Sequence, residues 1–168
     1  MATPIIRLAT TTDTDAMAAF AAKSFRDTFG HNYTPEDLQM HLDAKCGADF
    51  VRPSIEAGRA WLIEEDDVVV GYATSGPVTL PVDDLRDDDE EIYRFYLAQH
   101  THGTGIAQAL MDKVLAQLSH APRVFLSVWS ENPRAQAFYA RNGFTKLKEY
   151  TYYVGTHPDV EWVVVRER

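Results

Sequence analysis

Leu97-Ala98-Gln99-His100-Thr101-His102-Gly103-Thr104-Gly105-Ile106-Ala107-Gln108-Ala109-Leu110-Met111 runs a strand into a glycine-bearing turn and then directly into a helix. The helix carries Ile106, Leu110, Met111, Val114, Leu115 and Leu118 on one stripe, so packing fixes its axis and aims its first turn. Gly103 and Gly105 leave the backbone bare at that turn. There the unpaired N–H groups and the positive dipole end of the helix can meet an anion directly. The turn is a place to hold a phosphate.

Glu91 to Leu97 reads as the strand before the turn, Thr104 to Ser119 as the helix, and Val124 to Trp129 as a second strand after Pro122. A right-handed crossover lays these two strands side by side in parallel and opens the turn at their carboxyl ends, where such sheets bind ligands. Upstream, Ile5 to Ala9 reads as a strand. Thr12 or Asp13 then caps a helix that turns Met17, Phe20, Ala21, Phe25 and Phe29 inward. Pro35 follows Thr34 at the start of a second helix, with Leu38 and Leu42 on its buried side and Gly47 at its end. Ser54 to Ala57 forms a third, short helical piece. Ala60 to Glu64 and Val68 to Ser75, joined by Glu65, Asp66 and Asp67, read as a hairpin, and Thr79 to Glu90 as a loop rich in proline and acid. Downstream, Asn132 and Pro133 open a helix through Arg141, stopped by Asn142 and Gly143, before two closing strands, Phe144 to Val154 and Val160 to Arg166.

The 168 residues suit one domain over 1–168, and 45% apolar with 24% charged residues is a globular composition. No apolar run approaches the roughly 20 residues of a membrane helix. The start, Met-Ala-Thr-Pro-Ile-Ile-Arg, lacks a basic region before an apolar core, and the lone Cys46 forms no internal disulfide; both point to the cytoplasm. The net charge of −9 is concentrated in Asp83, Asp84, Asp87, Asp88, Asp89, Glu90 and Glu91, which speaks against nucleic acid and leaves either a solvated loop or a surface for a cation. Only His100 and His102 of the six histidines are close in sequence, and they sit in a turn, so no metal is expected. The apolar run Trp162-Val163-Val164-Val165 meets either a buried sheet neighbour or a second copy of the chain in a homodimer.

His-Gly-Thr-Gly-Ile-Ala at 102–107 and Asn-Pro-Arg-Ala-Gln-Ala-Phe-Tyr-Ala-Arg-Asn-Gly-Phe at 132–144, in this order and spacing, resemble the two signatures of the GNAT superfamily of acetyl-coenzyme A dependent N-acetyltransferases. The likeness spans nearly the whole chain. It implies an α/β (α+β) GNAT-type fold: a central mixed, mostly antiparallel sheet of about six or seven strands with a parallel, splayed pair, flanked by about four helices. It implies that Phe95, Tyr96 and Leu97 pair through their backbone with the pantetheine arm, and that Gly103, Thr104, Gly105, Ile106, Ala107 and Gln108 surround the pyrophosphate. Asn132 then contacts the cofactor arm and Tyr139 stands near the thioester sulfur. His102 departs from the pattern, where the family usually has Arg or Gln.

Acetyl transfer needs a free amine. An alkyl ammonium of pKa about 10.4 is neutral in about one molecule in 2,500 at pH 7, which corresponds to roughly 4.6 kcal/mol. Glu91, at the head of the binding strand, is the first candidate base, with Glu90 in reserve, and Tyr139 is the candidate acid for the departing thiolate. Ser24 to Phe29, Thr34-Pro35-Glu36, Gly71-Tyr72, Ile92 to Leu97, Val128-Trp129 and Tyr152 to Gly155 are similar to the bacterial spermidine/spermine (polyamine) branch. The acceptor implied is a small cationic amine. Protein or peptide acetylation is the alternative, and a non-catalytic acetyl-coenzyme A-binding regulator the second.

Overall fold

The alternating apolar runs become seven strands of one sheet in the computed structural model, which describes residues 3–168, so that the first two residues of the amino-terminal stretch lie outside it. The strands are β1 (Ile5–Leu8), β2 (Ala60–Glu65), β3 (Val68–Pro77), β4 (Glu90–Leu97), β5 (Arg123–Trp129), β6 (Thr145–Val154) and β7 (His157–Glu167). Five α-helices join them among the described residues: α1 (Thr14–Phe29), α2 (Pro35–Lys45), α3 (Ala48–Glu56), α4 (Ile106–Gln117) and α5 (Pro133–Arg141). The order across the sheet is β1-β2-β3-β4-β5-β7-β6, antiparallel throughout except for the parallel pair β4 and β5.

Helix spacing decides which face each helix covers. On one face, Leu110, Met111 and Val114 of α4 and Tyr139 of α5 pack over Ile63, Val70, Ile92, Val124 and Leu126. On the other, Met17, Ala21 and Phe25 of α1, at four-residue intervals, meet Leu42 of α2 and Val51 and Ile55 of α3 over Leu62 and Tyr72. Thr34 caps α2 by accepting from the Asp37 N–H at 3.2 Å, with Pro35 at the first helical position. α3 is longer than the Ser54–Ala57 piece read from the sequence. Gly47 begins it rather than ending α2, and burial of Val51 and Ile55 outweighs the ladder bond that Pro53 cannot make.

The run Trp162 to Val165 lies in β7, hydrogen-bonded to β5 on one edge and β6 on the other. Val163 is fully buried under Val78, Leu80 and Val82 of the acidic loop. Of the two readings of that run, the structure shows the buried sheet neighbour.

The sheet divides at β4 and β5. These strands pair only at Glu90 with Val124 and Glu91 with Phe125, and then part. The cause is local: Arg94 pairs with Thr74 but Ile92 with Ser75, so Tyr93 is an extra residue that bends β4. Meanwhile β5 keeps company with β7 along its whole length. The fork opens toward the carboxyl ends of both strands, where the 103–105 turn enters α4.

Candidate active site

Gly103 (φ 78°) and Gly105 (φ 88°) both take left-handed backbone, and a Cβ on either would project into open space. Among the described residues, no backbone acceptor pairs with the N–H groups of Gly103, Gly105, Ile106, Ala107 or Gln108, and the first turn of α4 points them outward from its packed stripe. Thr104 turns its hydroxyl inward to the Thr101 carbonyl at 2.6 Å. Gln108 commits its side chain to Asp112 at 2.9 Å and Asn142 at 2.7 Å, which leaves only its backbone for a ligand. His102 is exposed; partial burial lowers its pKa, and its ring lies beside the Leu97 carbonyl.

The fork edge of β4 follows from one bond. The Ala98 N–H donates to the Val70 carbonyl at 2.8 Å, so by antiparallel alternation Tyr96 also gives its backbone groups to β3, while Phe95 and Leu97 turn theirs into the fork. A pantetheine arm therefore meets Phe95 and Leu97 by backbone; Tyr96 offers its ring on the opposite side. Asn132 caps α5 by accepting from the Ala135 N–H at 3.2 Å. Tyr139 lies in α5 with its ring edge-on to Phe95 at 6.4 Å and to Phe144 at 6.0 Å. Burial raises its pKa, and among the described residues its hydroxyl has no partner, so it is a neutral phenol with a free proton.

Glu91 and Glu90 are placed elsewhere than the sequence suggests. Glu91 stands at the closed end of the fork, buried, with its carboxylate accepting from the Thr79 N–H at 2.5 Å, the Thr79 hydroxyl at 3.0 Å and the Leu80 N–H at 3.2 Å. Glu90 pairs with Arg59 at 2.7 Å and His120 at 3.0 Å. Glu91 ties the acidic loop to the sheet and Glu90 joins the approach to β2 to the end of α4, both at the closed end of the fork. Asp84 and Asp89 share Arg123, so three of the seven acids in the run pair with arginines, Glu91 is bound by Thr79 and Leu80, and Asp83, Asp87 and Asp88 are left exposed to solvent.

The acid that does face the open fork is Glu161. It lies on β7 opposite Trp129 of β5 and Tyr150 of β6, on the face covered by α1 and α2, and it accepts from the Ser127 hydroxyl at 3.3 Å. Desolvation pushes its pKa up to about 7, with the Asp159 charge adding to the rise and Ser127 and Arg94 opposing it. Asp159 accepts from the Tyr33 hydroxyl at 2.5 Å. Aromatic rings enclose this side: Phe29 lies edge-on to Tyr96 at 6.4 Å and to Trp129 at 5.9 Å, and Tyr72 lies 6.0 Å from Tyr96. One signal in the sequence marks Glu161, an acid set directly against the apolar run Trp162 to Val165.

A family model, the acetyltransferase (GNAT) family, matches residues 14–144. The chain belongs to the GNAT family. An uncharacterized N-acetyltransferase of Mycobacterium tuberculosis is 38% identical to it over 162 residues, covering 93% of this chain and 98% of the relative. One from Lactobacillus delbrueckii subsp. lactis is 25% identical over 161 residues, 90% of each chain. In fold, the chain is similar to the PaiA N-acetyltransferase of Thermoplasma acidophilum solved with coenzyme A, with a TM-score of 0.79 over 99% of each chain at 16% identity. The protein is thus an acetyl-coenzyme A-dependent N-acetyltransferase of GNAT type. Its residues fit that cosubstrate. Two left-handed glycines with space above them and a run of free N–H groups suit a pyrophosphate, and the GNAT fork leaves the backbone edges of Phe95 and Leu97 for an amide-bearing arm.

Proposed function

We propose that the protein acetylates the primary amine of a small, cationic acceptor, with Glu161 receiving the proton of the incoming ammonium and Tyr139 supplying a proton to the departing sulfur. The observation that carries this reading is the position of Glu161. It is an otherwise uncommitted carboxylate at the open fork, among aromatic rings and across the sheet from the Tyr139 hydroxyl. Acetyl-coenzyme A, when bound, supplies an activated thioester at the fork.

A carboxylate whose pKa lies near 7 is matched to neutral solution: it is ionised enough to accept a proton and basic enough to hold it. Transfer from an ammonium of pKa about 10.4 to Glu161 remains uphill by roughly 4.6 kcal/mol, so the proton moves, directly or through water, as the amine attacks, and the gain lies in holding ammonium and base together. An N–H of the β4 edge at Phe95 or Leu97 is aimed to polarise an acyl oxygen lying in the fork. The Tyr139 phenol, held neutral by burial, donates as charge grows on sulfur. The Phe29, Tyr33, Tyr96 and Trp129 rings and the acids Asp159 and Glu161 suit an ammonium approaching from the α1–α2 side. Diamines and polyamines are the simplest members of that class, and the bacterial polyamine branch is similar in the same stretches.

The decisive experiment follows coenzyme A thiol release across a panel of diamines, polyamines, basic amino acids and peptides. Turnover on small cationic amines is expected; turnover confined to peptides, or none on any amine, would overturn the reading. Tyr139→Phe, which removes one oxygen and keeps the ring packing, is expected to lower kcat about 10- to 100-fold with coenzyme A affinity within a factor of two. Unchanged kcat in that variant would remove Tyr139 from the proton path.

A further inference from the structure

The acceptor face holds a cation as well as acids. Arg94 lies on β4 just past the Tyr93 bulge, on the same side of the sheet as Tyr96 and α3, half-buried, with its guanidinium carbon over the Phe50 ring, 5.2 Å from the centroid. Within the protein Nη1 donates to the Tyr93 carbonyl at 2.9 Å and the guanidinium reaches the Tyr152 hydroxyl, so its five N–H donors are only partly used. The phenols of Tyr72, Tyr96 and Tyr152 are its polar surroundings.

The other arginines that are not exposed are compensated. Arg7 pairs with Asp13 and Glu64, Arg59 with Glu90 and Arg123 with Asp84 and Asp89, while Arg166 donates to the Asn142 carbonyl. Arg94 has no carboxylate partner among the described residues. A half-buried charge without a partner is costly, and replacing it by an apolar residue among the Phe50, Tyr72 and Tyr96 rings would relieve that cost. Arg94 and Glu161 act on each other electrostatically yet form no ion pair, so the acceptor face carries separated positive and negative groups.

We infer that Arg94 is the anchor for an acidic group on the acceptor, so that the preferred acceptor is an amino acid-like molecule carrying a carboxylate at one end and the reacting amine at the other. This rests on the proposed transfer to small cationic amines and narrows that class. The guanidinium edge pairs with two carboxylate oxygens, and the amine is left to face Glu161. A plain polyamine places a second ammonium where Arg94 already stands, and like charges there oppose binding.

Lysine and 1,5-diaminopentane make a matched test, because they differ by one carboxylate. With the wild-type protein kcat/KM for lysine is expected to exceed that for the diamine by at least about 10-fold, and Arg94→Gln is expected to lower the lysine value about 100-fold while raising the diamine value severalfold. Arg94→Lys, which keeps the charge but loses the planar edge, should recover part of the loss. Equal wild-type kcat/KM on the two amines overturns the inference without reference to any variant. An equal drop on both in Arg94→Gln overturns it too. Calorimetric binding of lysine and the diamine to the coenzyme A-loaded protein separates this inference from the transfer reading. Binding that favours lysine only when Arg94 is present, with no acetylation of either, supports the anchor and refutes the transfer; acetylation without that preference does the reverse.

Discussion

Glu161→Gln is expected to lower kcat/KM for amine acetylation about 100- to 1,000-fold at pH 8, the range lost when a positioned general base is removed. The substitution keeps the side chain's size and its contact with the Ser127 hydroxyl but cannot accept a proton from an ammonium. In the wild type, kcat/KM should climb as pH rises through about 7 and level off above it, because only the ionised carboxylate accepts a proton. The variant should lose that rise and retain only the slope set by the amine itself. Stability moves in the opposite direction. The folded pKa of about 7 lies above the ordinary carboxyl value of 4.5. Both states are protonated below the unfolded value, so no penalty exists there. The cost of ionising a desolvated carboxylate grows between the two values and is complete above the folded one. Glu161→Gln should therefore raise Tm at pH 8 by about 5 °C, from roughly 2 kcal/mol after allowance for water on the open side, and leave Tm unchanged at pH 4. Full activity in Glu161→Gln, or a wild-type profile flat through pH 7, would assign the proton to another group.

Gly105→Val is expected to raise the KM for acetyl-coenzyme A about 100-fold. At φ 88° a β-branched residue is strained by roughly 1–3 kcal/mol, and the added methyls fill the open space above the first turn of α4. Strain alone would also lower affinity if the helix frayed, so a control of equal strain is needed. Gly143 supplies it, with φ 87° and a Cβ position that meets only the Arg166 side chain at 3.6 Å or beyond. Gly143→Val should lose comparable stability and keep its coenzyme A affinity within about threefold. If both variants bind coenzyme A alike, the cradle is elsewhere.

The glycine turn and the helix behind it were legible because their signals are local: left-handed glycines and a four-residue apolar stripe need no knowledge of the rest of the chain. The hairpin of β2 and β3 and the caps at Thr34 and Asn132 are of the same kind. Glu161 was not legible. Alternation along β7 says which residues share a face, but Val163 and Val165 share that of Glu161, and only the pairing with Trp129 and Tyr150 shows that this face opens onto the fork at 161. Glu91 misled for the converse reason. Its place at the start of the binding strand suggested the site, whereas the fork opens at the other end, and the loop that returns over it satisfies its carboxylate. Nor does the density of acid in the 83–91 run reveal that Arg59 and Arg123, distant in sequence, pair with three of its members.

Those bound acids have a mechanical meaning. Two residue pairs join the β1–β4 half of the sheet to the β5–β7 half, and beside them stand Arg123 with Asp89 and Glu91 with Thr79 and Leu80. The loop thus works as a clasp at the closed end of a pair of tongs, and the gap beyond lacks its rungs. An amide-bearing arm lying along Phe95 and Leu97 would supply them. In that sense the donor completes the sheet that holds it.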